Sequence, residues 1–124
     1  MLKAKTWDIR ERTFEYSLQA IEVLRRIQTL HDEGARIIGK QFLRSATSIG
    51  ANIVEGGNST SKREFINYFN IALKSSAETL YWLEMLKELR GDKEKEIETL
   101  INECAEINKL ISTIILNTKN NSRF

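Results

Sequence analysis

No proline occurs anywhere in the 124 residues of this chain. Proline removes a backbone donor and clashes with the preceding turn, so it is the strongest local signal that a helix ends. A chain without it can remain helical until glycine interrupts it. Here Gly34, the Gly56–Gly57 pair and Gly91 divide the sequence into four stretches. Each stretch repeats apolar residues at intervals of three and four, and none shows the alternation of a strand. The expected fold is all-α: an up-and-down antiparallel four-helix bundle in one domain over 1–124, with helices at about 8–30, 35–54, 62–89 and 93–117.

The first helix is expected to start between Asp8 and Thr13, with Asp8 and Glu11 as a capping pair or Thr13 as the cap. Tyr16, Ala20, Val23, Ile27 and Leu30 form its seam, and Phe14, Leu18, Ile21 and Leu24 form a second apolar stripe. Two stripes mean more than one neighbour, or a second subunit. Gly34 is expected to take a left-handed turn between helices, with His31 as a cation at the helix end. In the second helix Ile38, Phe42, Ala46 (or Ser45), Ile49 and Ile53 face the core. Gly39 and Gly50 each cost about 1 kcal/mol inside a helix, which another helix approaching closely would offset. Ser61-Lys62-Arg63-Glu64 has the form of a capping box at the start of the third helix. Phe65, Phe69, Ala72, Ser76, Leu80 (or Thr79) and Leu83 are its seam, and Asp92 is placed to cap the fourth helix. Ile97, Leu100, Cys104, Ile107, Ile111 and Ile114 give that helix its core face, and the polar tail from Asn117 is expected to fray.

Composition narrows the function classes. No apolar run approaches the length of a membrane span, and charges interrupt the N-terminal segment where an export signal needs an apolar core. One cysteine allows no internal disulfide, which suits a reducing cytoplasm. With a single His and a single Cys placed apart, no nucleophile–base pair, zinc spacing or phosphate-binding glycine loop is present. The expectation is therefore a protein without catalytic residues, metal or cofactor.

The most informative residues are basic. Arg36, Lys40 and Arg44 lie four apart, one above another on a helix, and no Asp or Glu falls between Gly34 and Val54. Lys62 and Arg63 add donors beside the free amides of the next helix. Residues 1–76 hold 12 Lys/Arg against 8 Asp/Glu, whereas residues 77–124 hold 7 against 9. The pattern points to a salt-sensitive, sequence-independent grip on nucleic-acid backbone. The opposed reading is a solvated face, or cations paired with acids of the final helices. Asn52 and Glu55 share a face at the end of the second helix, either bonding the loop amides or anchoring another helix or subunit. Ser61 and Glu64 are structural, and Glu78 is placed to pair locally with Lys74.

The segment from Gln41 to Leu86 carries three blocks, LRSATSIGANIVEG, SKREF and ALKSSAETLYWLE, with DIRERTF near the N-terminus. In these blocks the chain resembles the bacterial four helix bundle protein family. That family includes the 23S rRNA intervening-sequence proteins and is related to the accessory variability determinant proteins of diversity-generating retroelements. Many relatives have proline where Gly50 stands. The resemblance implies a four-helix protomer of a ring-shaped homo-oligomer, typically a homopentamer with basic residues facing a channel. It implies nucleic acid, RNA foremost, as partner, with Arg44, Lys62 and Arg63 the positions carried by the matching blocks. The alternative is an adaptor ring that holds a protein such as a reverse transcriptase.

Overall fold

Four long helices account for nearly all of the computed structural model, which describes residues 2–27 and 32–121, the first of these up to Trp7 by backbone alone. They are α1 (Leu2–Ile27), α2 (Glu33–Gly57), α3 (Lys62–Leu89) and α4 (Glu94–Asn120), with a short 3₁₀ turn at Gly91–Lys93. No strand occurs among the described residues. Contacts run α1 to α2, α2 to α3, α3 to α4 and α4 back to α1, with α2 on α3 the most extensive. The pairing is antiparallel throughout. Thr79 meets Ser45 and Ser75 meets Ser48 across α2 and α3. Asn108 meets Ser76 and Lys87 meets Glu98 across α3 and α4. Arg12 meets Glu103 and Tyr16 meets Leu100 across α1 and α4. This is the up-and-down bundle that four periodic stretches and short loops require.

Helix ends differ from the sequence expectation in instructive ways. α1 begins at Leu2, so neither Asp8 nor Thr13 is a cap. Thr13 is fully buried in mid-helix and its hydroxyl donates to the Ile9 carbonyl at 2.8 Å. The residues before Asp8 include no breaker, and a helix has no reason to wait for a capping side chain. Leu30 and His31 lie outside the described residues. Gly34 makes no left-handed turn: it sits in the first turn of α2, where Asp32 is the cap and accepts from the Ala35 amide at 3.0 Å. Asp92 does not cap α4; its carboxylate is held by Arg90 at 3.1 Å, and α4 starts from Lys93 without a side-chain cap. α4 continues to Asn120 rather than fraying from Asn117. The Lys62 ammonium supports its last turn, donating to the carbonyls of Lys119 (3.2 Å) and Asn121 (2.8 Å).

The core follows the seams. Tyr16, Ala20, Val23 and Ile27 are buried from α1, and Phe42, Ala46, Ile49 and Ile53 from α2. Phe65, Phe69, Ala72 and Leu83 come from α3, and Ile97, Leu100, Ile107, Ile111 and Ile114 from α4. Ser45 and Thr79 are both buried, hydrogen-bonded to each other at 2.8 Å; Ile38 and Leu80 pack only at the edge. Gly50 is where α1 comes close: a Cβ there would lie 3.3 Å from the Thr13 hydroxyl. The Gly56–Gly57 pair closes α2, as its composition leads one to expect, and Gly56 has a packing role as well: a Cβ there would sit 2.7 Å from the ring of Phe69, itself stacked on Phe65 at 4.1 Å.

Cys104 is a buried core group whose thiol donates to the Ser76 carbonyl at 3.3 Å, and burial pushes its pKa up to about 12. Burial likewise raises the Tyr16 phenol, which donates to the Leu100 carbonyl at 2.8 Å.

Two measurements test this packing. Gly56→Ala should destabilise the protein by about 1–3 kcal/mol through overpacking against Phe69, although alanine is the better helix former. Gly57→Ala, with nothing within 4 Å of the added carbon, should leave stability unchanged or raise it by up to about 1 kcal/mol. Denaturant melts of both variants read the contrast. The second concerns pH. Above the ordinary thiol value of 9.0 the unfolded chain releases a proton that folded Cys104 retains, so stability falls as pH rises from there toward about 12. The limiting slope is about 1.4 kcal/mol per pH unit. Cys104→Ala should remove that component, and parallel alkaline stability curves for the two proteins would contradict it.

Candidate nucleic-acid interface

The outer face of α2 carries the basic row, and its place there follows from the core. Phe42, Ala46, Ile49 and Ile53 turn inward, so residues displaced by half a turn, Lys40 and Ala51 at the centre, face outward. Arg44 shares this exposed face, and Arg36, half-buried, lies at its flank. Lys40 is exposed, and among the described residues no carboxylate lies within ion-pair distance of it.

Both arginines, in contrast, have partners. Arg36 is bound through its Nε and Nη2 by Glu33, one turn earlier. Arg44 crosses to α3, where its Nη2 donates to Oε2 of Glu78, and its Nε donates to Gln41 at 3.1 Å. Glu78 therefore turns to Arg44 and Trp82 rather than to Lys74. The Trp82 indole donates to the same carboxylate oxygen at 2.9 Å. Two acids of α4 are taken up elsewhere: Glu103 by a two-pronged contact from Arg12 at 2.7 and 2.9 Å, Glu98 by Lys87 at 2.9 Å. The Glu103 bond, set against partial burial, raises the Arg12 pKa, and the Glu98 bond raises that of Lys87.

The remaining sequence candidates separate. Lys62 is committed to the end of α4, so of the Lys62–Arg63 pair only Arg63 stands in solvent without a partner among the described residues. Ser61 caps α3 by accepting from the Glu64 amide at 3.1 Å, but the Glu64 carboxylate makes no return bond to the Ser61 amide. Asn52 bonds back within α2, donating to the carbonyl (2.9 Å) and hydroxyl (3.1 Å) of Ser48, not to the loop amides. The amides of Asn58 and Ser59 are already satisfied by α2 carbonyls, that of Glu55 included, which leaves the Glu55 carboxylate bonded neither to the loop amides nor to an arginine among the described residues.

Three residues complete the site without having been placed in it by the sequence. Glu33 stands three before Arg36, a pairing distance on a helix, and Gln41 stands three before Arg44. Glu78, expected to pair with Lys74, could be assigned to Arg44 only from the register of α3 against α2.

Uncovered apolar surface borders the row on the α1 side. A groove of about 650 Å³ between α1 and α2 is lined by Phe14, Ser17, Thr47, Gly50, Ala51 and Val54 together with the charged Arg10 and Glu11; Phe14 is 61% and Leu18, one turn on, 48% exposed. On α3, Tyr81 (57%) and Leu89 (46%) form a second apolar strip with Met85, beside the acids Glu84 and Glu88. Among the described residues no His/Cys/Asp/Glu group could hold a metal ion, and no helix is long and apolar enough to cross a membrane.

Comparison with known proteins fits this geometry. A crystal structure of a protein of unknown function from the S23 ribosomal protein family of Bacteroides thetaiotaomicron is 37% identical. The match covers 90% of this chain and 98% of that one, with a TM-score of 0.78. No curated protein matches. The family model described as 23S rRNA-intervening sequence protein matches residues 6–113, which takes in most of all four helices. The chain belongs to the 23S rRNA-intervening sequence protein family.

Proposed function

We propose that the protein is a non-catalytic binder of nucleic-acid backbone, RNA foremost, acting as a ring of identical protomers with five as the expected number. The observation that carries the reading is the outer face of α2: three cations in one row, no acid among them, and Lys40 at the centre open to solvent. Such a row neutralises phosphates without reading bases. A family named for an intervening sequence of ribosomal RNA, and a structural neighbour assigned to a ribosomal protein family, support RNA as the polyanion. One protomer offers few charges. Repeated around an axis, the rows sum to a strong local field.

Self-association rests on the groove between α1 and α2. Phe14 stands in water beside Ala51 and Val54, and Leu18, one turn further along α1, is exposed as well, an apolar area of the kind that subunit contacts cover. A second reading, an adaptor for a protein partner, draws on the strip of Tyr81, Met85 and Leu89 with its flanking acids.

Two experiments test the proposal. Lys40→Glu should weaken retention of structured RNA at low salt, and Arg36→Glu/Lys40→Glu/Arg44→Glu should abolish it. Lys40→Ala should reduce the slope of log affinity against log salt by about one, the share of a single phosphate. Full retention by a folded triple variant refutes the reading. Light scattering should give a multiple of 14.3 kDa, with Phe14→Glu/Leu18→Glu shifting the mass toward the protomer. A wild-type mass of 14.3 kDa at every concentration would refute the ring.

A further inference from the structure

We infer that Glu78 is a built-in competitor for the polyanion: its carboxylate occupies the Arg44 guanidinium in the free protein and is displaced when a phosphate binds. The inference rests on the proposed binding of nucleic acid at the α2 row.

Three features of the pair carry it. The first is accessibility. The Arg44 side chain is 56% exposed and that of Glu78 35%, so the pair sits at the surface where a phosphate can reach it. An exposed ion pair is weak, and Glu78 meets Arg44 through one oxygen only, whereas a backbone phosphate carries the same single charge on two free oxygens and is followed along the strand by further phosphates. The second is that Glu78 keeps a donor when Arg44 leaves. The Trp82 indole bonds the same Oε2 at 2.9 Å, so the displaced carboxylate is neither orphaned nor drawn after the arginine. The third is that Arg44 keeps an anchor of its own. Its Nε is held at 3.1 Å by Gln41, one turn back on α2. That bond lets the outer nitrogens turn from α3 toward a ligand lying along the row.

The row is therefore graded. Arg36 is covered by Glu33, Arg44 by Glu78, and Lys40 between them is open. A polyanion meets Lys40 first and recruits Arg44 by exchange of one acceptor for another. Glu78 lowers affinity for every polyanion, and most for those too short or too weakly charged to displace it.

The test is binding of a structured RNA hairpin by the full-length protein at several salt concentrations. Five proteins are compared: wild type, Glu78→Gln, Arg44→Ala, the double variant, and Glu55→Gln as the control for a simple loss of negative charge. Glutamine at 78 still accepts from Trp82, and circular dichroism checks that each variant folds. Glu78→Gln should bind about two- to fivefold more tightly than wild type, the range set by the strength of an exposed pair. It should exceed Glu55→Gln, and its advantage should vanish when Arg44 is Ala. A gain equal to that of Glu55→Gln, or one that persists without Arg44, overturns the competitor while leaving nucleic-acid binding intact. Absence of RNA binding in wild type and Glu78→Gln alike overturns both.

Discussion

The close approach of α2 to α3 is the interaction on which the rest of the structure depends. Where they cross, the facing side chains are small and hydroxylic: Ser45 and Ser48 on α2, Ser75 and Thr79 on α3. Thr79 donates to Ser45 at 2.8 Å, and the Ser48 and Ser75 hydroxyls lie 3.0 Å apart. Small residues let the backbones approach, and paired hydroxyls remove the cost that burying them singly would carry. Further along, Gly56 gives its missing Cβ to the ring of Phe69. The same spacing lets Arg44 span to Glu78, so the electrostatic state of the outer face is set by the geometry beneath it.

Much of this architecture was legible in the sequence because it is governed by period and composition. The alternation of three and four in Tyr16, Ala20, Val23 and Ile27, or in Ile97, Leu100, Cys104 and Ile107, allows only one kind of partner. Helix ends were less legible, for a physical reason. Capping residues mark where a helix can stop, and Asp8, Thr13 and Asp92 all have capping chemistry that tertiary structure did not use. Thr13 went into the core beside Gly50, and Asp92 went to Arg90. Gly56 and Gly57 read as a break in sequence and α2 does end there, but the sequence does not show that Gly56 also makes room for an aromatic ring. A side chain's absence has no period to reveal it.

The candidate site shows the same divide. The row of Arg36, Lys40 and Arg44 follows directly from spacing, but whether each charge is available depends on residues that spacing does not reach. Glu78 is distant in sequence and close in space, and only the α2–α3 register joins it to Arg44. Lys62 matched a basic motif in sequence, yet its ammonium serves the backbone of α4. Counting cations along a helix therefore overstates the charge a ligand meets.

At the opposite end of α3, Arg90 donates to the Ile27 carbonyl of α1, as Lys62 at its start donates to α4. One helix thus holds the closing carbonyls of both helices that bear the chain's outer segments. Parting the C-terminal end of α1 or of α4 from the bundle has to break a bond to a residue at one end of α3. α1 and α4 are consequently each fastened to α3 at one pole, and at opposite poles, so local breathing at the closing turn of either helix is coupled to an end of α3.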